Sequence, residues 1–109
     1  MAGDLWLSGD ARWTVNNSLY HWALEFLISS LDDQPAVAEL EKIRDANIGL
    51  VNLADFGTRV QHDMLSLLRD KLVEDAVTRL PPDMPGRESF INGLQNLADL
   101  AGRSLNEAS

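Results

Sequence analysis

The chain has 109 residues, 17 acidic against nine basic side chains, a formal charge of −8, 45% apolar residues and no cysteine. That length suits one domain and buries roughly two-thirds of the unfolded surface, enough for a core without metal or disulfide support. The composition excludes a disulfide framework, a thiolate nucleophile and Cys-ligated zinc, and its acidity opposes direct contact with nucleic acid or an anionic membrane.

Residues 1–16 read as a hairpin. Leu5-Trp6-Leu7 is followed by the turn-forming Ser8-Gly9-Asp10, then by Ala11 to Val15 with β-favouring Trp13, Thr14 and Val15. Alternation places Ala11, Trp13 and Val15 on one face and Arg12 and Thr14 on the other. Asp4, Ser8, Gly9, Asp10 and Arg12 interrupt any apolar run, so no secretory signal is expected. No apolar stretch approaches the roughly 20 residues of a membrane span, and the expected location is the cytoplasm.

Asn16-Asn17-Ser18 offers side-chain oxygens to the free N–H groups of a helix start. The helix is expected from about Ser18 to Leu31, and its apolar residues cover most of the circumference, which predicts a central element or one buried against another chain. Asp32-Asp33-Gln34-Pro35 ends that helix and begins an amphipathic one through Ala46. Residues 47–57 remain open between a short strand that joins the hairpin and an apolar connector. Ile48, Leu50, Val51, Leu53 and Phe56 there call for burial.

Thr58-x-x-Gln61 matches a capping box, and one long helix is expected from there to Leu80. Lys71–Asp75 and Asp75–Arg79 are spaced as i,i+4 ion pairs on it. Pro81 to Gly86 forces a loop, and a last helix is expected over Arg87 to Leu105, with residues 106–109 frayed. Gly93 inside it implies a close backbone approach. Together these elements predict a single domain, 1–109, of four helices with a small N-terminal β-hairpin and a helical core over 17–105. An all-α four-helix bundle is the alternative.

No catalytic constellation stands out. The chain lacks a G-x-S-x-G turn and a phosphate-cradling G-x-x-x-x-G-K. Asn17, His21, Glu25 and Ser29 recur at intervals of four and form a polar stripe on the first helix. The stripe reads either as an imidazole–carboxylate pair for acid–base work or as the helix's solvent edge, with the second favoured. His21, Glu25, His62 and Asp63 contain a two-His, one-carboxylate ligand set, but no spacing forces them together. A metal-dependent hydrolase using His21 and His62 is therefore a remote alternative, and no metal or cofactor is expected.

The remaining signal is recognition. Five of the seven aromatic residues (Trp6, Trp13, Tyr20, Trp22 and Phe26) lie in the first 26 positions, and residues 1–33 hold five acids against Arg12 alone. Asp4, Asp10, Asp32 and Asp33, with Trp6 and Trp13, are the expected contacts to a basic protein partner, because aromatic anchors rimmed by carboxylates suit such a surface. The expected function is a non-enzymatic, acidic binding domain of the immunity or antitoxin type, opposing a basic partner such as a nuclease toxin. The alternative is a self-associating adaptor that forms a homodimer through helix 18–31 or the apolar stripe of 58–80.

Overall fold

A computed structural model describes residues 2–108 of the chain. Two strands, β1 (Ala2–Ser8) and β2 (Ala11–Asn16), form the antiparallel hairpin, and Gly9 supplies the positive φ of 52° that its tight turn requires. The register slips by one residue between Trp6 and Ser8, so Leu7 is the extra residue of β1. A third strand, β3 (Leu50–Asn52), lies parallel to β1, giving the order β2-β1-β3. The segment 47–57 is thus a strand that joins the hairpin, followed by a 3₁₀ turn over Leu53–Phe56.

The described residues hold five α-helices, α1 (Asn17–Ser30), α2 (Gln34–Asp45), α3 (Thr58–Asp70), α4 (Leu72–Arg79) and α5 (Arg87–Ala108), of which α1 and α5 pack against the hairpin. The protein is mainly helical with a small sheet, so the all-α bundle does not hold. The fifth helix arises because 58–80 breaks at Lys71 (φ −121°). Val60, Met64, Leu68, Leu72 and Ala76 are spaced by four, and each such step rotates the apolar line by about 40° around a straight helix. The break resets the line, and all five side chains stay buried. Of the two expected ion pairs, Asp75–Arg79 closes at 3.4 Å and Lys71 sits in the break.

The helix ends explain themselves. Asn16 Oδ1 accepts from Leu19 N–H at 2.9 Å, and Asp33 Oδ1 accepts from Ala36 N–H at 3.0 Å. The C-terminus of α2 is closed by Asn47 in the left-handed region (φ 57°), with Asn47 N–H donating to Arg44 C=O and Ile48 N–H to Ile43 C=O. The expected capping box is absent: Gly57 holds the N-cap of α3 without a side chain, and Gln61 Nε2 instead donates to Leu7 C=O at 2.6 Å. This bond ties α3 to the irregular end of β1. At the other terminus, α5 continues through 106–108, where fraying was expected, and Ser109 lies outside the described residues.

α1 is the central element and touches the sheet, α2, α3 and α5. Its Leu19, Tyr20, Ala23, Leu24, Phe26 and Leu27 are buried, each large side chain contributing about 1.5–3 kcal/mol by leaving water. Two glycines permit its closest contacts. A Cβ at Gly3 would fall inside the Tyr20 ring, and one at Gly93 would stand 2.8 Å from Leu19 Cδ1. Among the described residues no helix is long and apolar enough to cross a membrane.

Candidate functional site

The sheet has one covered face and one bare face. On β1, Leu5 and Leu7 point to the helices while Asp4, Trp6 and Ser8 point away. On β2, Trp13 pairs with Leu5 and is only 4% exposed, whereas Arg12 and Thr14 face solvent. On β3, Val51 is buried and Leu50 and Asn52 are exposed. The register therefore sets Trp6 between Arg12 and Asn52, and Asp4 between Thr14 and Leu50. Arg12 lies over the Trp6 ring with its guanidinium carbon 5.2 Å from the centroid, a cation–π contact that holds the half-buried indole in place.

Trp13, expected at a partner surface, is instead core, because the face it shares with Leu5 is the one the helices cover. The expected burial of Ile48 and Leu50 also fails: they are 48% and 49% exposed. Ile48 follows the Asn47 cap, and Leu50 shares the outward side of β3 with Asn52. Tyr20 Oη donates to Ile48 C=O at 2.9 Å and fastens this segment to α1. Burial, reinforced by the Asp4 carboxylate, pushes the Tyr20 hydroxyl up to about 12.

The acids expected beside the aromatics are divided among separate places. Asp10 is exposed in the hairpin turn. Asp32 and Asp33 line an open cleft of about 720 Å³ between the α1–α2 turn and α3, together with Arg59, Asp63, Asp70 and Lys71. Asp33 is already engaged, as the cap of α2 and in an ion pair to Arg59 at 3.0 Å. Asp70 is held by Arg69 at 2.7 Å, and that hydrogen bond keeps its carboxyl below the usual carboxylate range. Among the described residues Arg44, Arg59, Arg69 and Arg79 are engaged in ion pairs within the chain, and Lys42 makes a looser one at 3.9 Å. Asp4, Asp10, Asp32, Asp55, Asp63, Glu74, Asp83, Glu88, Asp99 and Glu107 have no such partner among the described residues, so the uncompensated negative charge is spread around the molecule, with Asp32 and Asp63 at this cleft.

The polar stripe is the solvent edge of α1. Glu25 pairs with Arg44 at 3.0 Å, and the hydrogen bonds that Arg44 donates to Glu25 and Asp45 push its guanidinium further up. Ser29 Oγ donates to Glu25 and Phe26 carbonyls, Asn17 is exposed, and His21 stands edge-on to Tyr20 with centroids 5.6 Å apart. His21 borders a shallow hollow floored by Trp22, Leu80, Met84 and Phe90, while His62 is exposed on α3. Among the described residues no three His, Asp or Glu side chains come together as a metal ligand set.

One feature escaped the sequence reading. Beside β3 runs a groove of about 250 Å³, in which Ile43, Leu50 and Phe56 give an apolar lining and Glu39 and Asp55 supply carboxylates. The signal was present as Leu50-Val51-Asn52, an alternating triplet after a helix stop, but nothing local connects it to Glu39 and Ile43. Comparison of the chain with protein-family models, with curated proteins and with solved structures gives no match.

Proposed function

We propose that this protein is a non-enzymatic binding domain of the cytoplasm that engages a basic protein partner, in the manner of an immunity or antitoxin protein that neutralises a nuclease toxin. The observation that carries this reading is the bare face of the sheet. It presents exposed Leu50 and the half-buried Trp6 on a three-stranded support, with exposed Ile48 beside it. An exposed apolar patch on a small acidic domain supports a recognition surface, since water-exposed large apolar groups add nothing to stability. The unpaired carboxylates favour a cationic partner and speed its approach.

The homodimer alternative loses its expected surfaces. Most large apolar residues of α1 are buried within the chain, and Met64, Leu65, Leu68, Leu72 and Ala76 of the second stripe are buried too, where α3 and α4 pack on α5.

The test is affinity capture from host lysate at low and high salt, with wild type and Trp6→Ala side by side. A basic protein held at low salt, released at high salt and captured at least tenfold less by Trp6→Ala is the expected result, given that interfacial tryptophans cost about 2 kcal/mol or more on truncation. Equal capture by both chains would sink the reading.

A further inference from the structure

We infer that the open edge of β3, with the groove between it and α2, receives an extended lysine- or arginine-bearing segment of the partner as a fourth strand of the sheet. This rests on the reading of the protein as a binder of basic partners and specifies how the partner is held.

β3 has a neighbour on one side only. Asp4 N–H donates to Gly49 C=O at 2.9 Å, and the parallel register pairs Asp4 with Leu50 and Leu5 with Val51. In a parallel ladder, alternate residues of a strand bond to alternate sides. Gly49 and Val51 therefore turn their main-chain groups to β1, and Leu50 and Asn52 turn theirs to the open edge. That edge is a template for another strand, and proteins normally blunt it by keeping the strand short, as β3 is at three residues, or with Lys, Pro or a covering element. The run Asn47-Ile48-Gly49-Leu50-Val51-Asn52-Leu53 contains no Lys, Arg or Pro.

Both charged side chains that line the groove are acidic. Glu39 and Asp55 line the groove together with Ile43 and Phe56. Asp55 has no ion-pair partner among the described residues, and Glu39 has only a loose 3.9 Å contact to exposed Lys42. An acidic strand would be repelled, and so would a second copy of a chain carrying a charge of −8. The opposite edge, β2, carries exposed Arg12 and disfavours a basic strand. β3 spans only about 10 Å, so four or five residues of the partner suffice, with apolar side chains toward Ile43 and Phe56 and cationic ones reaching Glu39 and Asp55.

The experiment uses the full chain, isotope-labelled for amide NMR, and three capped synthetic peptides. One alternates lysine with valine, one alternates glutamate with valine, and one is the lysine peptide methylated on every second backbone nitrogen. The lysine peptide is expected to bind saturably and to slow hydrogen exchange at Leu50 and Asn52 about tenfold or more. The glutamate and N-methylated peptides are expected to do neither, and Glu39→Lys with Asp55→Lys to weaken the lysine peptide about tenfold, a loss near 1.4 kcal/mol. Equal binding of the N-methylated peptide, or shifts confined to Trp6 or to the Asp32–Asp63 cleft, would overturn strand addition while leaving a basic partner in place. Absence of saturable binding would also overturn it, and the capture experiment decides the broader reading separately. Protection of Leu50 and Asn52 that grows with protein concentration alone would assign the edge to a second copy and overturn the inference.

Discussion

Leu5 faces Trp13 and the helices, whereas Trp6, the next residue, faces Arg12 and solvent. The two faces of one small sheet thus carry different burdens. On the inner face Leu5, Leu7 and Trp13 are buried under what packs on them, and Gly3 leaves room for the Tyr20 ring. On the outer face Trp6 is half-buried beneath Arg12 and Asn52 caps the 3₁₀ turn by accepting from Ala54 N–H, whereas Leu50 is exposed and its identity is free to answer to a partner. Composition alone does not separate these roles. A tryptophan sits on each face, and only the direction of the side chain decides whether it supports the fold or meets another molecule.

The sharpest way to break this comparison is to truncate both tryptophans. Trp13→Ala removes a fully packed indole and is expected to destabilise the fold by about 3–5 kcal/mol. Trp6→Ala is expected to cost about 1–2 kcal/mol, less than Trp13→Ala, since it loses the cation–π contact and the burial of a partly covered indole. Denaturant titration of the two variants measures both. Comparable losses would show that the outer face is structural as well.

Much of this was readable beforehand, and the pattern of what was not is informative. Period-two alternation set Ala11, Trp13 and Val15 on one face, but alternation names a face without saying which one the helices will cover. Asn16, Asp33 and the prolines marked helix ends correctly because caps act through bonds two or three residues away. The break at Lys71 was hidden because spacing by four looks periodic until its drift is summed over the whole helix. The groove beside β3 was hidden because Glu39, Ile43, Leu50 and Asp55 meet only through tertiary packing. Long-range placement, and with it the candidate binding edge, is the part that local sequence does not carry.

Alkaline titration sharpens the comparison from the inner side. Tyr20 is the sole tyrosine, buried, with its hydroxyl raised from 10.0 to about 12 by desolvation and then by Asp4. The folded state therefore holds this proton more tightly than the unfolded state does. The resulting stability is fully present below pH 10 and is lost as pH rises toward 12. The loss is expected to be about 2–3 kcal/mol across that window, tracked by denaturation alongside tyrosinate absorbance. Tyr20→Phe should flatten this dependence while costing about 1 kcal/mol at neutral pH for the lost bond to Ile48.

Gln61 tests the point where the inner face meets a helix. Its side chain satisfies the Leu7 carbonyl at the register slip of β1, so Gln61→Ala leaves a partly buried acceptor unpaired. The expected cost is about 1–2 kcal/mol. Hydrogen exchange should show the loss concentrated at the β1–α3 junction. A uniform change across the sheet would mean that the bond is incidental to the slip.

The smallest contrast repeats the lesson in two adjacent acids. Asp33 caps α2 and pairs with Arg59, whereas Asp32 is exposed and has no ion-pair partner among the described residues. Asp33→Ala should lower stability by about 1 kcal/mol through the lost cap, while Asp32→Ala should leave it within about 0.5 kcal/mol. For encounter with a basic partner the two are not ordered by stability. Either substitution removes one negative charge, and Asp33→Ala also leaves the Arg59 guanidinium uncompensated, so Asp32→Ala is the cleaner electrostatic test. Stopped-flow association at low salt separates them: Asp32→Ala slows the on-rate at unchanged stability, and the gap closes as salt rises. An on-rate indifferent to Asp32 at low salt would remove this cleft from the electrostatic path and leave the β3 edge, with Glu39 and Asp55, as the source of attraction.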